Sequence, residues 1–523
     1  MKKFLIILCL TCISQLLWAQ DGITLHFMRL NPYSTYSNPS AFLPYTGHVG
    51  MPAVSNINAA LINTSAQYKT LFGTNQDGTI TTIQLGKFAD QLSKRGNALN
   101  CNIALNIIDF GFNIKNLRFD FSYRFRFDEY LTYNKDMIAL PAHGNMQYAN
   151  AGQTARPEFR ATLNAYQEIS LGIQAEISPK LYIGARPKIL FGLAHVKTRN
   201  AHASLYTNPD DYSLLLNYNL DTYFSCAIPY HITSDSTDRF DFQFDPDDFR
   251  NQWQNAFKNV GAAIDLGFTY RFNDHWGLAA SVLDLGFIRW KTNNSRIYGH
   301  SSGNYDEDGS FLFEGLTDED LAMLKENPHA FKETILQYFP LEYQQTSDYT
   351  SALSGRFLIE GYYNLLKHHR FSALFQGRIV NKQFMPSFTV AWNGNFLNIF
   401  DLCVSYTLSK QSYSNIGVGI GFNLWAFQIY AATDNILGFC NSKSPQRSIL
   451  NARNANLQVG IVFDWGKHQE QKIVKKNKQL NNQFQTEQKS KQADNQYQPE
   501  KKKKKSDMQK PVENNQLDYQ KQK

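Results

Sequence analysis

Beyond its first twenty residues this chain has no apolar run approaching the ~18 residues that a membrane-crossing helix requires. Cysteine is scarce, with 6 in 523 residues. The four after residue 19, Cys101, Cys226, Cys403 and Cys440, match no metal knuckle or redox pair in their spacing. In an oxidising compartment they fit either bridges or scattered, half-buried thiols. The formal charge of +7 is not spread along the chain: residues 467–523 hold 15 Lys and 7 acids, which leaves 37 basic and 38 acidic residues elsewhere. A balanced body gives no reason to expect a nucleic-acid partner. The catalytic signatures are missing as well: no Gly-x-Ser-x-Gly elbow, no His-Glu-x-x-His and no phosphate loop. Asn304, Asp306, Asp308 and Gly309 imitate the start of a calcium loop, but Gly315 stands where the bidentate Glu belongs. The acidic stretch Asp235, Asp238, Asp241, Asp245, Asp247 and Asp248 reads as a solvated loop, and His368-His369 as an exposed turn. No enzyme, cofactor or metal is therefore expected.

What is present begins with a secretory signal over residues 1–19: Lys2 and Lys3, an apolar stretch from Phe4 to Trp18, and Ala19 at the expected cleavage site. Behind it, a period of two dominates. Leu117, Phe119, Phe121, Tyr123, Phe125 and Phe127 alternate with Arg118, Asp120, Ser122, Arg124, Arg126 and Asp128. Successive side chains of a strand point to opposite faces, so such a segment has one greasy face and one charged face. The pattern returns in Ile169 to Ile177 opposite Glu168 and Glu176, in Leu181 to Leu193 opposite Arg186 and Lys188, and in Val260 to Tyr270 opposite Asp265 and Arg271. Further strands are expected near 346–364, 368–382, 384–394, 397–409, 413–424, 425–433 and 457–465. A slip of phase between Ile107 and Ile108 marks a β-bulge. In an exported chain without a spanning helix, backbone polar groups in a bilayer are satisfied only by a closed barrel. The expected fold is all-β, a transmembrane antiparallel up-and-down barrel with lipid outside and polar side chains inside.

Turn lengths supply a parity argument. Short turns are expected near Lys115, Ser178, Asn273, His368, Gly394 and Leu424, with long connections at 129–159, 228–258, 291–345 and 434–453. Outer-membrane barrels keep short turns on the periplasmic side. An additional first strand, Val49 to Leu61, is then required before 101–114, although Pro52 disfavours it. The count is 14, or 16 if the segments 201–208 and 212–227 join the barrel. Helical pieces are expected in long connections, around Phe249, Trp253 and Phe257 and at Thr317–Glu326 and Pro328–Tyr338. From Lys467 the Gln-, Asn- and Lys-rich chain buries too little apolar surface to fold alone and reads as a disordered periplasmic tail.

Ser37-Asn38-Pro39-Ser40-Ala41-Phe42-Leu43-Pro44 resembles the N-terminal Asn-Pro-Ala element of the long-chain fatty-acid transporter (FadL) superfamily, with Ser40 in place of the usual Ala. Gly50-Met51-Pro52, Leu283 to Trp290 and Thr433-Asp434-Asn435-Ile436-Leu437 make the chain similar to a Bacteroidota outer-membrane barrel family, of unassigned function, related to FadL and PorV. The resemblance implies 14 strands and an N-terminal hatch in the lumen, but no hydrophobic-ligand pocket matches residue by residue. The expected organisation is a signal peptide (1–19), a hatch segment (20–46), a barrel (47–466) and a tail (467–523). Candidate hatch residues are Asn38, Pro39, Phe42 and Pro44. Candidate lumen-facing residues are Arg118, Asp120, Arg124, Arg126, Glu168, Glu176, Arg186, Lys188, Asp265 and Arg271, whose mixed signs suit ion pairs or a plug better than a selective pore. The expected function is FadL-like passage or binding of a hydrophobic small molecule in the outer membrane. The alternative is a PorV-like, non-transporting barrel that binds or displays a secreted or surface protein.

Overall fold

The computed structural model describes residues 22–64, 67–74, 80–94, 96–210, 214–227, 230–234, 240–244, 253–305, 341–366, 368–381, 383–397, 399–409, 412–424, 426–437 and 454–466. The signal segment, Cys440, most of the acidic loop, Phe249, the expected helices at 317–326 and 328–338, the second half of the calcium-like loop and the tail all lie outside these residues.

Fourteen antiparallel strands close into a ring. They are β1 (Gly47–Gly50 and Ile57–Asn63), β2 (Asn97–Ile114), β3 (Leu117–Tyr133), β4 (Phe159–Ser178), β5 (Leu181–Thr207), β6 (Val260–Arg271) and β7 (Trp276–Trp290). The ring continues with β8 (Tyr349–Ala352 and Arg356–Leu365), β9 (His369–Val380), β10 (Gln383–Phe396), β11 (Phe400–Ser409), β12 (Ser412–Leu424), β13 (Phe427–Thr433) and β14 (Asn454–Trp465). Each strand pairs with its sequence neighbour, and β14 closes on β1 through Gly47–Trp465 and Ile57–Val459. Among the described residues, the ring itself has no free edge strand. Among the described residues no helix is long and apolar enough to cross a membrane.

The choice between 14 and 16 strands is decided by pairing. Strand β5 outlasts its barrel partner β6, and its last residues pair with Leu214–Cys226, which in turn pairs with Ser295–Tyr305. These strands extend a connection beyond the barrel wall. The expected bulge appears as a register shift between Asn106 and Ile108 against β3. The turn expected at Gly394 falls instead at 397–399, because Gly394 still pairs with His369 and Leu402.

Alternation in burial follows alternation in sequence. Ile108, Phe110, Phe112, Leu171, Ile173, Ile189, Ile264, Leu266, Phe287, Phe371 and Phe422 are exposed on the outer face, while the residues between them are buried. Outward aromatic rings pair across strands, as in Phe110–Phe121 at 5.1 Å and Phe112–Phe119 at 5.7 Å.

Strand β1 is not continuous. Between the pairs Gly50–Val462 and Ile57–Val459, β1 spends seven residues where β14 spends three. Pro52 has no N–H to give a ladder, and Ala53 turns through a left-handed φ of 60°. Met51 and Val54 are exposed, whereas Ser55 and Asn56 are buried. The break is stitched to its neighbours by Ala53 N donating to Ile107 O (3.2 Å) and Ile461 N donating to Val54 O (3.2 Å).

Candidate functional site

The lumen is filled by residues 22–46. Two short 3-10 helices, Thr24–Phe27 and Pro32–Tyr36, give this segment its shape. Asn31 caps the second by accepting from Tyr33 N at 3.0 Å, and Pro32 starts it with a preset φ. Neither helix was expected from the sequence, since five or fewer residues show no periodicity.

The segment meets two different walls. From β3 to β7 the inner wall is ionic, and Arg356 joins it from the start of β8. Asp284 lies at its centre, in ion pairs with Lys188 (2.6 Å), Arg126 (2.9 Å) and Arg356 (3.7 Å). Its own N–H donates to Asp265 at 2.7 Å, and its φ of 57° belongs to a bulge in which Asp265 faces two residues of β7. Lys188 also reaches Asp265 (2.8 Å), and Glu168 pairs with Arg124. These side chains are nearly all buried. Buried charges persist only when mutually paired and hydrogen-bonded.

The segment adds to this network. Tyr36 lies between the guanidinium groups of Arg124 (4.0 Å) and Arg186 (4.8 Å), and Asn106 donates to its hydroxyl at 2.8 Å. Arg186 also donates to the Thr35 carbonyl and hydroxyl, both at 3.0 Å. Tyr33 donates to Asp109 at 2.8 Å, a carboxylate that also accepts from Ser55 of the β1 break at 2.6 Å.

The opposite wall carries an apolar patch among polar side chains such as Glu360, Asp401 and Gln428. Leu358, Leu374, Cys403, Ala432 and Val462, from β8, β9, β11, β13 and β14, are buried against Ile23, Leu25, Phe27 and Met28. The inward row Gly417, Gly419, Gly421 of β12 makes room for this contact. A Cβ on Gly417 would stand 2.2 Å from Thr24 Oγ1, and one on Gly419 would stand 2.7 Å from Met28 Sδ. Thr24 N and Ile23 N donate to the Asp434 carboxylate at 2.8 and 3.1 Å, and His26 Nε2 lies 3.3 Å from Glu360. A second glycine seat lies at the paired Gly184 and Gly267. A Cβ on Gly184 would stand 1.9 Å from Pro39 O, and one on Gly267 would stand 2.6 Å from Ser40 N.

Of the candidate hatch residues, Pro39 is buried on that seat, and Asn38 lies half-buried beside it. Ser40 hydrogen-bonds Thr269 at 2.7 Å. Phe42 packs on Tyr182 at 6.0 Å, and Pro44 is half-buried. Of the candidate lumen residues, Arg124, Arg126, Glu168, Arg186, Lys188 and Asp265 meet in the ionic wall. Arg118 pairs with Asp120 at 3.0 Å, below that cluster. Glu176 accepts from Tyr182 at 3.0 Å, and Arg271 is exposed at the rim, stacked on the same ring at 4.6 Å. Sequence reasoning missed Asp284, Glu360, Asp434, Tyr36 and the apolar residues 23–28. The Gly-x-Gly-x-Gly row on one face of β12 was the signal that something approaches that wall.

Two small cavities of about 10 Å³ lie in the interior, one against the segment beside Tyr36, Asp109 and Arg186 and one in the wall beside Arg126, Asp284 and Arg378. Both are polar and water-sized.

No curated protein matches this chain. Among solved structures it is similar to the Pseudomonas putida toluene transporter TodX, at 9% identity and a TM-score of 0.36, covering 86% of this chain and 99% of that one. It is similar to a Pseudomonas aeruginosa FadL homologue, also at 9% identity and a TM-score of 0.36, covering 86% and 100%. A third is the Ralstonia pickettii toluene transporter TbuX, at 7% identity and a TM-score of 0.31, covering 84% and 94%. A family model described as "Family of unknown function (DUF5723)" matches residues 39–434. By that match, which spans most of the chain, the protein belongs to the family of unknown function DUF5723.

Proposed function

We propose that this protein is a barrel of the bacterial outer membrane that passes a hydrophobic small molecule, with residues 20–46 as its hatch and 467–523 as a periplasmic tail. The outer face supports the membrane: a closed ring with an exposed apolar belt has no counterpart in water, where such patches mark contact surfaces. The observation that carries the solute class is the apolar patch on the inner wall. Leu358, Leu374, Cys403 and Val462 face a lumen, where a water-filled pore would place polar groups, and Ile23, Leu25, Phe27 and Met28 cover them. Withdrawal of residues 22–30 opens an apolar, concave surface with polar groups (Asp434, Ser405, Glu360) at its margin, which is the composition of a small-molecule site.

The β1 break gives such a solute a way through the wall. Met51 and Val54 face outward there, and Ser55 and Asn56 inward. Tyr430 holds the inner side by donating to Ser55 O (3.1 Å) and Asn56 Oδ1 (2.9 Å), with the Tyr33 ring 5.8 Å away. Tyr33 belongs to the hatch, so its departure removes support from the break. No described feature favours the partner-displaying alternative.

The test is accumulation of hydrophobic tracers, a monoaromatic hydrocarbon and a fatty acid, by cells with and without the protein. Expression should raise uptake, and Leu374→Asp, which places a charge on the apolar wall, should abolish the gain in a correctly inserted barrel. Equal uptake of every tracer with and without the protein would remove the reading.

A further inference from the structure

The six short turns that lie at the Gly47 and Trp465 end of the barrel are of two kinds. Those between β2 and β7 are polar at their tips: Lys115-Asn116, Ser178-Pro179-Lys180 and Asn273-Asp274-His275. Two of those between β8 and β13 carry exposed apolar residues beyond the strand ends: Leu366 after β8, and Leu397 and Ile399 after β10. Leu397 is 86% exposed and Leu366 73%. Both adopt a left-handed φ, 57° and 60°, where Asn, Asp or Gly is the ordinary occupant and a leucine costs about 1 kcal/mol or more. Water rewards neither the conformation nor the exposure of leucine at such a tip.

The surface around these tips names what does. Phe396, immediately before Leu397, is exposed on the outer face. It lies 6.3 Å from Trp392 and 6.1 Å from Phe400, which lies 5.3 Å from Phe422. His369 stacks on Trp392 at 5.8 Å beside the Leu366 turn. This chain of rings across β9 to β12 has the character of an interfacial aromatic girdle, and the leucine tips continue it without a gap.

We infer that the turns after β8 and β10 form a lipid-contacting edge: Leu366, Leu397 and Ile399 insert into the headgroup layer of the periplasm-facing phospholipid leaflet, while the polar turn tips between β2 and β7 reach water. The inference rests on the reading that the outer belt faces lipid. Its consequence is directional. The strands that carry the buried edge also carry the apolar inner wall, so the hydrophobic side of the lumen stands closest to the inner leaflet.

The test is photo-crosslinking in phosphatidylethanolamine–phosphatidylglycerol vesicles, with p-benzoylphenylalanine placed singly at Leu366, Leu397, Asn116 and Ile264 of the full chain. Lipid adducts at Leu366 and Leu397 should match those at Ile264 and far exceed those at Asn116. Adducts at Ile264 without adducts at either leucine would overturn the inference and leave the spanning barrel intact; none at Ile264 would overturn the spanning reading itself. The same positions photolysed in cells should again yield lipid, and a protein adduct at Leu397 would assign the edge to a protein partner instead. A second measurement avoids the bulky probe. Leu397→Asn relieves the backbone in water, so a higher unfolding midpoint for this variant in bilayers would contradict insertion, and a lower one is expected.

Discussion

The two halves of this barrel solve the same packing problem with opposite chemistry. From β3 to β7 the inner wall holds Arg118, Arg124, Arg126, Glu168, Arg186, Lys188, Asp265 and Asp284, nearly all buried and paired. From β8 to β14 it presents an apolar patch, Leu358, Leu374, Cys403, Ala432, Val462 and a row of glycines, set among polar side chains such as Glu360, Thr389, Asp401 and Gln428. One chain segment satisfies both: Tyr33 to Ser40 through hydrogen bonds and cation–π contacts, and Ile23 to Met28 through apolar burial. Ionic anchoring is directional and strong only while every partner is present. Apolar docking is non-directional and proportional to area, so it can be exchanged for another apolar occupant. On the proposed function, retention of residues 22–46 falls to the first half and exchange with a solute to the second.

The strongest way to break the comparison is Asp284→Ala. Removing one member of a buried ion network leaves Lys188, Arg126 and Arg356 short of a counter-charge and should cost about 3–5 kcal/mol. Loss of the heat-resistant folded band at a lower temperature, or unfolding in vesicles at lower denaturant, measures it. An unchanged midpoint would mean that the network is hydrated rather than buried.

The outside should show no such asymmetry. Phe121→Arg on the ionic half and Val404→Arg on the apolar half should each cost about 2–4 kcal/mol near the midplane. The two penalties, read by the same unfolding measurement, should agree if, as proposed, lipid meets the belt of both halves alike. A penalty at one site and none at the other would place that site outside the bilayer.

Gly419→Val sharpens the comparison on the apolar side. Its side chain occupies the space of Met28 Sδ, and overpacking of this kind costs about 1–3 kcal/mol. The loss should fall on docking of residues 23–28 and leave the ring closed. Faster protease cleavage within 22–30 and higher passage of hydrophobic tracers, with unchanged barrel mobility, are the expected results. Tyr36→Leu probes the ionic side: it removes two cation–π contacts and the hydrogen bond from Asn106. It should raise small-ion conductance in planar bilayers without raising tracer passage, whereas equal gains in both would erase the assigned division of labour.

Residues Leu117 to Asp128 show how much was legible beforehand. A two-residue period states which side chains share a face, and the burial of Arg118, Ser122, Arg124 and Arg126 against the more open Phe119 and Phe121 follows it residue by residue. The parity of short turns likewise demanded a strand around Val49 to Leu61, and both pieces of β1 lie there. The same logic failed at Gly394, where glycine reads as a turn but the ladder runs on to Phe396. Residues 23–36 were illegible because 3-10 turns of four or five residues carry no period, and their conformation depends on the walls around them.

The sequence by itself determined the strands, their two faces and the balanced charge of the body, because these depend on local alternation and composition. Tertiary structure alone decided the rest. Fourteen strands instead of sixteen followed from the extra length of β5 pairing with Leu214–Cys226 outside the ring. The break in β1 followed from seven residues meeting three across a closed sheet. The meeting of Leu25 and Met28 with a glycine-lined wall some four hundred residues away followed from ring closure. Alternation says which side chains point inward, but only closure determines what they meet.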